Sequence, residues 1–494
     1  MIAALFLCVI LTALIWAAFL RRCRQQNEPP LDCGYIPWLG HALEFGRDAA
    51  TFLTRMKTKY GNIFTVQVAG KFVTVLLDPH SYDNVVLESK DKLDFEKYAK
   101  ILMERMFDVR LPEYDVAAEK AMLRLHLQNK SLPHLTSSML YNLSVILNDS
   151  SVSGTTWRED GLFNFTYGIM LRAGYLTLFG SESSPIKDIN HSKEVYNEFR
   201  KLDQLLMKSA RGILCTEEKK AMSLVRENLW HIMNSQKVKR KERKSDWLKY
   251  YLHHLEDLQV SDEEQTKILV LQLWATQGNA GPATFWFLLF LLKHPEAMVA
   301  VQGELEKVFQ ARSMKQMEDI NQELLDNAVI FNSALAESLR LTAAPFITRE
   351  VLTDQLLKLA DGREYVLRSG DRLCLFPYVS PQMDPEVHQE PQVYQYNRFL
   401  NGNGTQKNEF YKGGRRLKHF TMPWGAGNNV CVGRFHAINS IKLFVWFLLL
   451  NFEFELKNPN EKLPDFDRSR YGFGVVQPEH DIVFRYRRRL HVSM

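Results

Sequence analysis

The chain has 494 residues, 46% hydrophobic and 24% charged, with a net charge of +5. This is an ordinary globular composition, and no Gly/Ser linker, low-complexity tract or internal repeat divides it, so one large domain is expected rather than the three that length alone suggests. The six cysteines (Cys8, Cys23, Cys33, Cys215, Cys374, Cys431) are scattered without a CxxC pair, which argues against a disulfide framework or a zinc site and for a reducing compartment.

Residues 2–20, IAALFLCVILTALIWAAFL, carry no charge, and Arg21, Arg22 and Arg24 follow at once. At ~1.5 Å per residue the segment just crosses a bilayer core of about 30 Å. A cleaved signal would have its basic residues in front; here they lie behind, and the positive-inside rule puts them in the cytosol. Residues 1–20 are therefore expected to be a single transmembrane signal anchor in the endoplasmic reticulum. Residues 21–30 read as a basic, proline-containing linker, and 31–494 as the catalytic domain on the cytosolic side. The sequons at Asn142 and Asn403 would carry sugar only on a lumenal domain.

Beyond the linker, 63–69 and 71–77 are β-rich runs around Gly70 and predict a hairpin. Most of 115–340 predicts helix, with long patterns over Glu194–Ala221 and Thr266–Leu292. Two basic runs, 237–244 and 485–489, suit either a solvated loop or a nucleic-acid patch. Neither has the interleaved aromatics of a nucleic-acid channel, and no nucleic-acid partner is expected. Short strands return after 345 in LLKLA, YVLRSG and RLCLF, and the tail DIVFRYRRR alternates. The fold class is mainly α with a minor β part.

The longest expected helix opens on a capping box, Ser261 to Glu264, and stops before Pro295. Its centre reads TQGNAGPATFW. Pro282 cannot donate to the carbonyl of Gly278 and pushes it away, so a groove is expected at Gly278–Pro282. It is either a plain proline kink or the seat of a flat ligand. Residues 422–434, MPWGAGNNVCVGR, place Cys431 between a glycine-rich loop and a helix. Helix-end amides favour a thiolate there, and Gly427 and Gly433 allow close approach of backbone to a planar group. A buried cysteine is otherwise mere packing; as a soft anionic ligand it suits haem iron.

Trp424, Gly427, Cys431 and Gly433 stand at the spacing of the cysteine loop of the cytochrome P450 superfamily, with Trp for the usual Phe. Glu337-Ser-Leu-Arg340 matches its Glu-x-x-Arg motif, which alone is also a common surface pair. Arg398 matches the arginine that completes it, although Tyr396 takes the slot where proline is usual. From about residue 31 to 494 the chain resembles this superfamily. The resemblance implies its fold, with haem b (iron protoporphyrin IX) between the central helix and the Cys431 loop, and Cys431 as axial iron ligand. Arg349 and Arg124 match propionate-binding positions; Asn429 replaces a basic residue.

Where most members carry an acid and a threonine to protonate iron-bound dioxygen, this chain has Gly281 and Pro282. The segments WATQGNAGPATFW, ESLRLTAAPFITREV, GDRLCLFPYVSPQMDPE, AINSIK and SRYGFGVVQPEHD resemble the branch that isomerises a prostaglandin endoperoxide by homolytic O–O cleavage. That branch needs neither external electrons nor dioxygen. The alternative is a reductase-dependent sterol or fatty-acid monooxygenase, as in the sister sterol 12α-hydroxylases. The isomerase resemblance implies a lipid substrate, no redox partner and a monomer. It makes Cys431 and Asn279 the catalytic residues, and Trp274, Gly278, Asn279, Pro282, Ala343, Pro345, Phe346 and Thr348 the substrate pocket.

Overall fold

The computed structural model describes residues 22–110, 116–149, 154–181, 184–311 and 320–489. The expected anchor lies outside them, and among the described residues no single helix is long and apolar enough to cross a membrane. The helices that build the site are α1 (Val116–Leu127), α2 (Leu132–Leu147), α3 (Leu162–Phe179), α4 (Pro185–Arg211), α5 (Asp262–Gln277), α6 (Ala280–Lys293), α7 (Val329–Thr342) and α8 (Arg434–Asn451). The strands are β1 (Leu31–Asp32), β2 (Ile63–Val68), β3 (Lys71–Leu76), β4 (Leu93–Asp94), β5 (Arg158–Gly161), β6 (Ile347–Val351), β7 (Arg372–Leu375), β8 (Phe452–Leu456) and β9 (Val483–Arg488).

Helices α3 and α6 are apolar on every side, the pattern of a helix run through a core rather than laid on one. In α3 only Asn164 is exposed, and Gly281 to Leu291 of α6 are all buried. The two pack against each other, with α2, α4 and α8 around them. Phe163 meets Phe285 edge-on at 5.2 Å and Phe331 meets Trp446 at 5.9 Å. Each such ring contributes about 1.5–3 kcal/mol by leaving water. The buried indole of Trp286 donates to the Val476 carbonyl at 2.7 Å, so its one polar atom is satisfied.

The sheet at the other end runs β1-β2-β3-β7-β6-β4, and a three-stranded sheet runs β8-β9-β5. The hairpin expected around Gly70 is β2–β3, with Val68 opposite Lys71. LLKLA and YVLRSG supply a separate two-stranded ribbon, Gln355–Lys358 with Glu364–Leu367. The basic tail is sheet, and Arg487 of β9 bonds Glu453 of β8 at 2.6 Å across the strands. The run at 237–244 is also tied down, with Lys239 bonding Glu256 at 2.8 Å and buried Lys241 reaching the Tyr175 hydroxyl at 2.5 Å.

Two helix boundaries differ from the sequence reading. The pattern over Glu194–Ala221 belongs to two helices, because Gly212 adopts φ 71° and the Ile213 amide turns back to the Lys208 carbonyl, ending α4. The long central helix is likewise two, α5 and α6, parted at Gly278–Asn279. Its capping box is half formed. Ser261 accepts from the Glu264 amide at 3.2 Å, but the Glu264 carboxylate instead accepts from the Arg110 amide. Residues 22–30 are less a free linker than a strap on the body: Arg22 bonds Asp371 at 2.5 Å and Glu28 is buried.

Candidate active site

Cys431 sits at the end of the loop that leads into α8. Its amide donates to the Trp424 carbonyl at 2.9 Å, which closes the loop on itself. Gly427 has φ 63°, and a Cβ there would lie 2.2 Å from the Val86 carbonyl oxygen. Its smallness therefore lets the loop settle on Val86, and it does not line the cavity as the sequence reading had it. Gly433 does line the cavity, and an added Cβ there would meet nothing. The cavity measures about 430 Å³ and lies between Cys431 and the α5–α6 break.

The Cys431 side chain is exposed, yet burial pushes its thiol above the usual range. Both statements hold, because the surface it shows belongs to the cavity and protein surrounds that cavity. The Gly433 and Arg434 amides and the Arg434 charge pull the other way and are outweighed. The helix end alone therefore does not make the thiolate that the sequence reading expected. A coordinated cation would do so outright.

A cationic edge borders the same cavity. Arg349 of β6 is 3% exposed and lines it; Nη1 donates to the Thr348 carbonyl at 2.9 Å, while Nη2 is buried with no partner among the described residues. Burial brings its pKa down to about 10, with only the charge of Asp94 opposing. Lys120 of α1 donates to Asn429 at 2.6 Å, and burial together with the charges of Arg349 and Arg124 lowers its pKa. Lys120 is a cation that sequence reasoning missed. Arg124 itself is exposed and outside the lining, where α1 instead contributes Leu123 and Leu127.

At the break, Pro282 has no N–H for the Gly278 carbonyl. The Tyr167 hydroxyl of α3 donates to that carbonyl instead, at 3.2 Å. Gly281 is required by the same ring, since a Cβ there would lie 2.1 Å from Tyr167 Cδ2. Asn279 lines the cavity; its Oδ1 accepts from the Val475 amide at 2.9 Å. That bond fixes which end of the amide is which, and Nδ2 has no partner among the described residues. The lining face of the two helices is Gln272, Ala275, Thr276, Asn279, Ala280 and Ala283, a helical repeat of three and four. The Thr276 hydroxyl is turned back onto the Gln272 carbonyl at 2.8 Å.

Of the pocket residues expected from sequence, Asn279, Pro345 and Phe346 line this cavity. Trp274 and Gly278 line a narrow cleft that shares Asn279 with it. Pro282, Ala343 and Thr348 line neither and are buried: the Ala343 carbonyl accepts from Gln382, and the Thr348 hydroxyl points at Cys374 Sγ, 3.9 Å away. Thr276, Ala280, Ala283 and Val475 were missed, because which helix face turns to a cavity is settled by packing.

Glu337 and Arg340 of α7 are fully buried, not a surface pair. The Glu337 carboxylate accepts from Arg340 Nε at 2.7 Å and Nη2 at 2.8 Å, from Arg398 Nε at 2.9 Å and from the Gln395 amide at 3.1 Å. The remaining guanidinium groups go to carbonyls: Arg340 to Gln382 and Pro391, Arg398 to Gln389 and Val393. Gln382 in turn accepts from the Met422 amide, which begins the segment leading to Cys431.

Comparison with known proteins agrees with this arrangement. The family model described as cytochrome P450 matches residues 29–484. The chain belongs to the cytochrome P450 family. It is 54% identical to the prostacyclin synthase of Homo sapiens over 475 residues, 94% of this chain and 95% of the relative. The Bos taurus prostacyclin synthase is also 54% identical over the same shares. The 7-alpha-hydroxycholest-4-en-3-one 12-alpha-hydroxylase of Oryctolagus cuniculus is 40% identical over 473 residues, 95% of each chain. Membership of the cytochrome P450 family implies a haem with a cysteine thiolate ligand. The site fits such a group: a thiol facing the cavity, a glycine open to it, and a buried arginine nitrogen without an anion to bind.

Proposed function

We propose that this chain is a haem-thiolate isomerase that converts a prostaglandin endoperoxide to prostacyclin without external electrons, dioxygen or a redox partner. The likeness to prostacyclin synthases, 54% over 94% of the chain against 40% for the 12-alpha-hydroxylase, carries this reading. Bound haem supplies a thiolate-ligated ferric centre, the chemistry that splits a weak O–O bond homolytically.

The chain's own residues have separate tasks. Cys431 holds the iron. Arg349, with its buried unpaired nitrogen, and Lys120 beside it would neutralise the carboxylates of a bound haem. Asn279 Nδ2 donates to an endoperoxide oxygen, oriented for it by the Val475 amide. Ala275, Ala280, Ala283 and Phe346 keep water away from the reacting carbon chain. No carboxylate is among the lining residues, and the one lining threonine spends its hydroxyl on its own helix. The α5–α6 face of the cavity therefore lacks the acid–hydroxyl pair that would relay protons to an oxygen species. Residues 1–20 anchor the enzyme in the endoplasmic reticulum membrane, with a monomeric body on the cytosolic side. Buried Asn142, bonded to Thr177, is no glycosylation acceptor there.

The test is product identification by mass spectrometry after mixing ferric protein with the endoperoxide. Prostacyclin and its hydrolysis product are expected. A protein inert to the endoperoxide that hydroxylates a sterol when given reductase, NADPH and dioxygen would overturn the assignment.

A further inference from the structure

A helix interrupted by glycine, asparagine and proline should fray, because each break strands polar backbone groups. Here the break is ordered, and one side chain from another helix does the ordering. Tyr167 is fully buried on α3, with Phe163 at 5.5 Å and Phe199 at 6.2 Å around its ring. The Arg200 guanidinium lies over its face at 4.8 Å and is itself held by Asp203 at 2.7 Å. The ring therefore cannot swing. Its edge fills the space beside Gly281, where even a methyl would collide, and its hydroxyl caps the Gly278 carbonyl that Pro282 leaves open. Burial keeps that phenol protonated, and hence a donor. The two groups it touches flank Asn279 on either side in the chain.

We infer that Tyr167 is a positioning residue: wedged against Gly281 and bonded to Gly278, it fixes the α5–α6 break so that Asn279 presents Nδ2 to the substrate oxygen. The same ring bars an acid from position 281, so the usual proton relay is excluded by α3 as well as by the residues of the broken helix. This inference rests on the isomerase reading in one respect only, that the ligand oxygen is the acceptor for Asn279.

The test uses full-length ferric holoenzyme and optical titration with two unreactive ligands. One is an endoperoxide analogue that keeps an acceptor at the bridge; the other is its all-carbon counterpart. Tyr167→Leu removes wedge and hydroxyl, and is expected to weaken the acceptor-bearing analogue about tenfold, the worth of one well-made hydrogen bond, without affecting the carbon one. Tyr167→Phe keeps the ring and guards against a folding defect. It should cost about threefold, because the contact at 3.2 Å is long for O–H···O. Asn279→Ala should give the same selective loss, and Tyr167→Leu with Asn279→Ala should be no worse than Asn279→Ala alone. Equal weakening of both ligands, or losses that add in the double variant, would overturn the inference. Failure of the isomerase reading looks different: wild-type holoenzyme would then leave the authentic endoperoxide unconverted.

Discussion

Glu337→Ala is the most informative change to the scaffold. In the folded protein the carboxylate takes four donors, three from Arg340 and Arg398 and one from the Gln395 amide. Its removal leaves two buried guanidinium groups without their carboxylate. Arg340 keeps its carbonyl bonds to Gln382 and Pro391, and Arg398 keeps those to Gln389 and Val393, so each cation stays hydrogen-bonded but loses its counter-charge. Breaking a buried pair from one side costs about 3–5 kcal/mol, and with two cations affected the upper end applies. At about 1.4 kcal/mol per decade this is roughly a thousandfold or more in the ratio of folded to unfolded protein. The damage should spread to Cys431 through Gln382 and Met422. The assay is haem content per chain together with the thermal loss of the Soret band. Little haem and a lowered melting point are expected, with unchanged product from whatever enzyme remains. Glu337→Ala purified with full haem and wild-type melting would refute the reasoning.

Cys431→Ser should fold but lose both the thiolate-type ferrous–CO spectrum and all turnover; an unaltered spectrum would mean another residue holds the iron. Burial, helped by the charges of Arg340 and Arg398, pushes His388 down to about 3, while its Nε2 hydrogen donates to the Phe420 carbonyl at 2.9 Å. The native ring stays neutral while the unfolded one takes up a proton near pH 6.5. Its contribution is therefore full above that pH and is lost as pH falls toward 3, by a few kcal/mol. His388→Gln should flatten denaturant-measured stability between pH 6.5 and 4 relative to wild type, and identical slopes would contradict this. Deleting residues 1–20 should release the protein from sedimenting membranes while keeping its haem. Endoglycosidase-sensitive sugar on exposed Asn403 would place the body in the lumen instead.

What could be read in the sequence was what is local. Cys431 and its loop, the Glu337–Arg340 spacing and the β2–β3 hairpin each depend on residues a few positions apart, and each lies where expected. The break at Gly278–Asn279 was half legible: Pro282 announces a lost hydrogen bond, but nothing near it in the chain says that Tyr167, 111 positions away, restores it. Lys120 was invisible for the same reason, since its partner Asn429 is 309 positions off. Gly427 was misjudged because sequence marks a close approach without naming what approaches, which here is the Val86 backbone. At Cys431 burial outweighs the amides at the start of α8, so the thiolate that the family implies depends on the iron it would hold rather than on the helix end.

The central claim is that the substrate supplies its own oxygen and electrons. The most direct measurement is the rate of endoperoxide conversion by purified ferric protein under argon, without NADPH or reductase, set beside the same reaction in air with both added. Equal rates and the same prostacyclin product are predicted. Turnover that appears only with dioxygen and a reductase would contradict the account.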